Sequence, residues 1–66
     1  MKITINGKEQ EFAQGKTLQA VIQECLQKTN HVIAEHNGNI VRSPQWAQIS
    51  VKEGDQVELV TFVGGG

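Results

Sequence analysis

The sequence predicts an α+β fold in which a mixed sheet of four to five strands packs on one main helix. Residues 2–5 alternate polar and apolar side chains and lead into an Asn-Gly pair, which is typical of a β-hairpin. Residues 18–26 carry apolar side chains at helical spacing, and residues 56–63 form a last strand-like run. A helix with one apolar face must bury that face, and the sheet is the partner that this pattern offers.

The first element is the hairpin. Ile3 and Ile5 alternate with polar residues, which is the period of a strand with one buried face. Asn6-Gly7 suits the positive φ angles of a type I′ turn, so the strand from Lys8 to Phe12 should return antiparallel to the first. We expect Phe12 to anchor this hairpin in the core.

The helix is predicted from about Leu18 to Gln27, with Thr17 capping its first turn. Cys25 belongs to its apolar stripe. We interpret Cys25 as a small buried hydrophobe rather than a catalytic thiol, because apolar surroundings raise a thiol's pKa and hide it. The stripe consists of Leu18, Val21, Ile22, Cys25 and Leu26.

Two further strands follow, one around residues 32–35 and a short one at residues 40–41, joined by a second Asn-Gly turn at Asn37-Gly38. Pro44 lacks the amide that a central strand needs, so it predicts a short helical turn. That turn should tuck Trp46 against the edge of the core.

The last strand is predicted from Gln56 to Val63, after a turn at residues 53–55, and should lie parallel to the first strand in the middle of the sheet. Its alternation sends Leu59 toward the helix and Val60 and Phe62 to the opposite face. Those two side chains either form an exposed docking patch or are covered by other parts of the chain.

Composition limits the function classes. The chain has 66 residues, enough for one domain, and its single cysteine rules out an internal disulfide. Six basic and seven acidic residues without clusters give no footprint for nucleic acid or a membrane surface. The N-terminus lacks a signal-peptide pattern, and no apolar run could span a bilayer. We expect a cytoplasmic protein that is monomeric alone and has protein partners.

His31 and His36 are the candidates for a metal or acid–base site, with Glu35 or Cys25 as possible companions. They flank a predicted strand at an odd separation, which sends strand side chains to opposite faces. We therefore interpret them as surface or turn histidines and predict no metal site. The sequence also lacks a phosphate-binding glycine loop and a nucleophile elbow.

Three glycines, Gly64, Gly65 and Gly66, end the chain. Extended, they would reach about 10 Å past a domain spanning residues 1–63, as a flexible tail that can enter a narrow tunnel. The terminal carboxylate is ionised at neutral pH and can attack the α-phosphate of ATP. The resulting acyl-adenylate would accept a sulfur or nitrogen nucleophile, and another protein would have to perform this chemistry.

With these features the chain resembles the ubiquitin-like sulfur carriers of the β-grasp fold, and it is most similar to the ThiS family of thiamine biosynthesis. The resemblance runs through "ITINGK", "TLQAVIQECL", "PQWAQ", "KEGDQVELV" and the terminal "VGGG". It implies that a ThiF-type adenylyltransferase activates Gly66 with ATP and magnesium, and that a cysteine desulfurase or sulfurtransferase supplies sulfur. The thiocarboxylate at Gly66 would then donate sulfur to thiazole synthase, ThiG.

The resemblance also assigns roles. Gly66 would be the modified residue, Gly64 and Gly65 would give the tail its reach, and Val60 and Phe62 would dock partners. The chain would be a co-substrate without catalytic residues or a bound cofactor. Gly64 exceeds the family's minimal diglycine. The alternatives are a MoaD-like subunit of molybdopterin synthase, a protein-conjugated modifier and a plain interaction module.

Overall fold

The computed structural model describes residues 1–62. Its elements follow the predicted order of hairpin, helix and further strands. They are β1 (Lys2–Ile5), β2 (Lys8–Glu11), α1 (Leu18–Cys25), β3 (Val32–His36), β4 (Asn39–Val41), a short 3₁₀ helix (Ser43–Gln48) and β5 (Gln56–Thr61).

The five strands form one mixed sheet in the order β2-β1-β5-β3-β4. β1 and β5 are parallel, with Thr4 opposite Gln56 and Ile5 opposite Val57. The other neighbouring strands are antiparallel. The predicted placement of the first and last strands, parallel and in the middle of the sheet, is confirmed.

Both Asn-Gly pairs form the predicted turns. Asn6 and Gly7 have φ angles of 49° and 83°, and Asn37 and Gly38 have 50° and 88°. Positive φ at both central residues is the signature of a type I′ turn, whose twist matches that of the strands it joins. The local sequence therefore fixes both hairpins.

Helix α1 begins where predicted, because the Thr17 hydroxyl oxygen accepts a hydrogen bond from the Ala20 amide at 3.2 Å. It ends at Cys25, two residues before the predicted end at Gln27. Leu26 leaves the helix with extended backbone angles while its amide still bonds the Ile22 carbonyl, and its side chain packs against the core. The apolar pattern alone did not reveal this change of direction.

The core lies between the sheet and a layer formed by α1 and the 3₁₀ helix. Trp46, only 3% exposed, packs there, and its indole Nε1 donates to the Val41 carbonyl oxygen at 3.1 Å. The predicted roles of Trp46 and Phe12 as core residues are confirmed. The buried set is Met1, Ile3, Ile5, Phe12, Leu18, Val21, Ile22, Ala34, Trp46, Val51, Val57 and Leu59.

Cys25 is less buried than predicted. It packs at the edge of the core with intermediate exposure. Desolvation raises the pKa of its thiol, and the neighbouring Glu24 carboxylate raises it further. A raised pKa leaves little thiolate at neutral pH, in keeping with a structural role.

Within the described residues β5 ends at Thr61. Val63, the predicted last residue of the strand and of the domain, lies outside the described residues, together with the tail 64–66. No helix in residues 1–62 has the length and apolar character needed to cross a membrane.

Candidate functional site

The two faces of β5 differ in burial, as the alternation predicts. Val57 and Leu59 point into the core, whereas Val60 is 57% exposed on the opposite face. Phe62, just past the end of β5, is 49% exposed and lines an open groove with Trp46. Of the two alternatives for these side chains, the described residues support exposure. Two large apolar groups therefore lie open just before the tail.

β3 extends this exposed area. Ile33 lies directly opposite Val60 in the β3–β5 register and is 44% exposed. Ile33 and Val60 on this face, together with the exposed Phe62 just past the end of β5, form what we call the open-face patch. Ile33 was not predicted to be part of this surface, although an apolar residue at the outward position of a strand could have identified it. Ile40 in β4 is exposed on the same face.

Two carboxylates border the open-face patch. Glu35 in β3 lies directly opposite Glu58 in β5. Like charges at directly opposed positions destabilise a strand pair. This arrangement gives the sheet face negative charge beside apolar surface.

Asn6 holds the start of β5 from the β1 side. Its side-chain Nδ2 donates to the Leu59 carbonyl oxygen at 3.2 Å, and its Oδ1 accepts from the Leu59 amide at 2.7 Å. β1 has already ended at Ile5, so the Asn6 amide group stands in for the next strand residue. Sequence reasoning identified Asn6 only as a turn residue.

A polar cluster holds the same part of β5 from the β3 side. Asn37 Oδ1 accepts from the Gln56 amide at 2.8 Å, and Asn37 Nδ2 donates to Asp55 Oδ1 at 3.2 Å. Asp55 Oδ2 lies 2.8 Å from His36 Nε2 and accepts from the Lys52 amide at 2.9 Å. His36, interpreted from the sequence as a surface or turn histidine, ends β3 just before the Asn37-Gly38 turn, and its side chain is largely buried against Asp55.

Partial burial acts to raise the pKa of Asp55, but the hydrogen bonds to its carboxylate outweigh this effect. The His36 side chain, the Lys52 amide and the Asn37 side chain supply those bonds, and the pKa of Asp55 lies below its ordinary value. The cluster is therefore a structural tie between the β3–β4 turn and the start of β5.

His31 lies at the other end of β5, beside Phe62, which is the last described residue before the tail. Its carbonyl oxygen accepts the Phe62 amide at 3.0 Å. Its imidazole stacks on the Phe62 ring, with centroids 5.4 Å apart and an interplanar angle of 22°. Its φ of 60° lies in the left-handed region, which histidine adopts uncommonly.

The two histidines lie at opposite ends of β3, and each contacts β5 there. Within residues 1–62, no three or more His, Cys, Asp or Glu side chains are grouped so that they could hold a metal ion. The predicted tail residues Gly64, Gly65 and Gly66 lie outside the described residues. The described part of the site is thus the open-face patch and the two ends of β5.

Comparison with known proteins identifies the family. The ThiS family model matches residues 3–66. The sulfur carrier protein ThiS of Escherichia coli is 32% identical over the full length of both chains. Two proteins named thiazole synthase, from Paramagnetospirillum magneticum and Magnetococcus marinus, are 39% and 32% identical over the whole chain. The chain spans only 20% of the length of each of these two relatives.

Solved structures show the same fold. The crystal structure of a thiamine biosynthesis protein (ThiS) from Geobacter metallireducens superimposes with a TM-score of 0.85 at 29% identity, covering all of both chains. A solution structure of a thiamine biosynthesis protein from the same organism gives a TM-score of 0.80, covering all of this chain and 88% of the other. The five-stranded sheet with one main helix is thus the β-grasp fold, and the chain belongs to the ThiS family.

Proposed function

We propose that the chain is a sulfur carrier protein of thiamine biosynthesis that carries sulfur as a thiocarboxylate on Gly66. One observation carries the proposal: the central strand β5, buried on one face, contributes Val60 to the open-face patch and is followed two residues later by three glycines. A partner can dock on the patch while the side-chain-free tail enters its active site. Family membership supports the same role.

The chemistry takes place on partners. A ThiF-type adenylyltransferase binds ATP and magnesium, and the Gly66 carboxylate attacks the α-phosphorus and displaces pyrophosphate. A persulfide sulfur from a cysteine desulfurase or sulfurtransferase then attacks the acyl carbon and displaces AMP. A second thiol cleaves the resulting acyl disulfide and leaves the thiocarboxylate. The chain acts throughout as a co-substrate.

Docking is assigned to Val60 and Phe62, with Ile33 completing the apolar area. These side chains are exposed before binding, so covering them removes apolar surface from water. Glu35 and Glu58 beside them favour a partner surface that carries positive charge near its apolar contact.

The destination of the sulfur is proposed to be thiazole synthase, ThiG. The two relatives named thiazole synthase each contain a stretch matching this whole chain within a much longer protein. A covalent link of that kind supports a working association between such a domain and the rest of the synthase. In this chain, the open-face patch would provide the association.

The proposal is tested by sulfur loading followed by intact-mass measurement. The protein is incubated with its adenylyltransferase, ATP, magnesium and a persulfide source. The expected result is a mass gain equal to replacing one oxygen by sulfur at Gly66. The same protein carrying a C-terminal amide at Gly66 keeps the tail length but lacks the carboxylate, so it should gain no sulfur.

Tail length gives a matched pair of variants. Because the three glycines are identical, removing one leaves a Gly-Gly end, which should still be loaded. Removing two shortens the reach by about 7 Å and should abolish loading while the melting temperature stays unchanged. Loading of the amidated protein would overturn the proposal. Attachment of the chain to lysine would instead identify a protein modifier, and neither product would identify an interaction module.

A further inference from the structure

We infer that His31 is a positioning residue that holds the backbone and the side chain of Phe62, the last described residue before the tail, in place before a partner docks. The inference rests on the proposed function. It goes beyond that function by assigning a role to a residue outside both the tail and the open-face patch. Two contacts and one backbone angle of the described chain carry it.

The first contact is a backbone hydrogen bond. β3 begins at Val32, which lies opposite Thr61, and the Phe62 amide bonds the His31 carbonyl oxygen at 3.0 Å. His31 thus continues the β3–β5 ladder by one residue beyond β3. Its hydrogen bond is the last described backbone contact before the glycines.

The second contact is the ring stack. Phe62 is 49% exposed and is not among the residues of the core or those packed against it. The His31 imidazole covers one face of the ring at 5.4 Å between centroids, and within residues 1–62 it is the one aromatic ring stacked there. An open groove of about 570 Å³, lined by Phe62, Pro44 and Trp46 among others, lies beside the pair.

The third observation is the backbone of His31. Its φ of 60° turns the chain so that the same residue presents both its carbonyl and its ring to Phe62. Glycine or asparagine would adopt this conformation more readily than histidine, but neither has an aromatic ring. The turn does not require an aromatic residue at this position, so the imidazole ring is there for its contact with Phe62.

Holding Phe62 in place should strengthen docking. A side chain already held in its bound orientation loses less conformational freedom when the partner binds. A fixed strand end also limits the directions in which the tail can leave the domain, so a larger fraction of tail conformations can reach the partner's active site. We expect the effect in the concentration of carrier needed for half-maximal adenylation rather than in the maximal rate.

The test compares His31→Asn with His31→Tyr in ATP–pyrophosphate exchange catalysed by the adenylating partner. Asparagine keeps the left-handed turn and loses the ring, so the KM for the carrier should rise about two- to tenfold, a range set by the strength of an aromatic pair. The kcat should change by less than about twofold, as expected when binding alone is weakened. Tyrosine keeps a stacking ring and should restore the KM.

Stability separates positioning from a merely structural role. Asparagine tolerates positive φ better than tyrosine, so the melting temperature of His31→Asn should equal or exceed that of His31→Tyr. The variant with the weaker docking would then be the more stable one. His36→Asn is the matched control: it loses a contact at the far end of β5 and should lower stability without changing the KM.

An unchanged KM in His31→Asn, or a KM that His31→Tyr fails to restore, would overturn the positioning role. If the wild-type protein supports no exchange at all, the proposed function fails first. The wild-type measurement therefore distinguishes the two failures.

Discussion

Residues 55–59 and residues 60–62 belong to one continuous stretch of chain, yet the molecule holds them in different ways. The first stretch pairs with β1 on one side and β3 on the other, and the side chains of Asn6 and Asn37 bond its backbone. The second stretch has a described strand neighbour only in β3 and its extension at His31. The start of β5 is thus anchored from both sides and its end from one.

The two stretches therefore have different roles: residues 55–59 stabilise the fold, and residues 60–62 are available for binding. Burial of Val57 and Leu59 and the polar ties near them stabilise the fold without involving the exposed face. Val60 and Phe62 add little to the core, so they are available to a partner. Binding sites commonly occupy the less buried and less stable parts of a fold, carried by a rigid scaffold.

Truncating two adjacent side chains gives the largest test of this comparison. Leu59→Ala should lower the free energy of unfolding by about 2 to 5 kcal/mol, because it leaves a cavity in the core. Val60→Ala removes a similar group from the exposed face and should change stability by about 0.5 kcal/mol or less. Urea unfolding of both variants measures the difference.

Partner binding should depend on the Val60 side chain, although folding stability should not. Val60→Ala should weaken the affinity for the adenylyltransferase about tenfold if Val60 is an energetically important docking residue. Titration calorimetry measures this affinity on a protein that remains folded. Equal losses of stability at positions 59 and 60, or an unchanged affinity of Val60→Ala, would contradict the division of β5.

The Asn6 side chain provides an intermediate test. Asn6→Gly keeps the left-handed turn but removes both bonds to the Leu59 backbone, so the free energy of unfolding should fall by about 1 to 3 kcal/mol. Asn6→Asp keeps the acceptor for the Leu59 amide but turns a carboxylate oxygen toward the Leu59 carbonyl oxygen, so it should also lower stability. A glycine variant as stable as the wild type would show that Asn6 acts only as a turn residue.

Acidic pH should give the smallest effect, through Asp55. Its pKa in the folded protein lies below the ordinary value, which is about 3.9 in an unfolded chain. The ionised carboxylate therefore adds stability above that pH, and this contribution disappears as the pH falls through the folded pKa. Urea unfolding measures the free energy of unfolding of the wild type and of Asp55→Asn at several pH values. The wild type should be the more stable of the two at neutral pH, and the difference should narrow below about pH 4. A gap that widens toward acid would contradict this assignment.

Local patterns predicted most of the fold because each depends on near neighbours in sequence. The Asn6-Gly7 and Asn37-Gly38 turns follow from the conformational tolerance of those residues, and the Thr17 cap from one hydroxyl. The two-residue period of β5 placed Leu59 inside and Val60 outside. The end of α1 was less predictable, because Leu26 remains apolar and packed after it leaves the helix.

The candidate site was predicted only in part. The exposure of Val60 and Phe62 was among the alternatives that the alternation of β5 offered, whereas the role assigned to the terminal glycines stays a prediction, since they lie outside the described residues. Ile33 joins the patch only through the pairing of β3 with β5, which brings together positions far apart in sequence. His31 and His36 were both interpreted as surface or turn histidines, since nothing local to them indicates Phe62 or Asp55 as a neighbour.

By itself, then, the sequence determined the strands, the helix, both hairpin turns, the face that each side chain of β5 takes, and the chemical character of the tail. Those features depend on backbone preference and short-range periodicity. Only the tertiary structure decided which side chains meet across strands: Asn6 with Leu59, His36 with Asp55, and His31 with Phe62. Such contacts depend on sheet order and register, and these are set by burying the whole core at once.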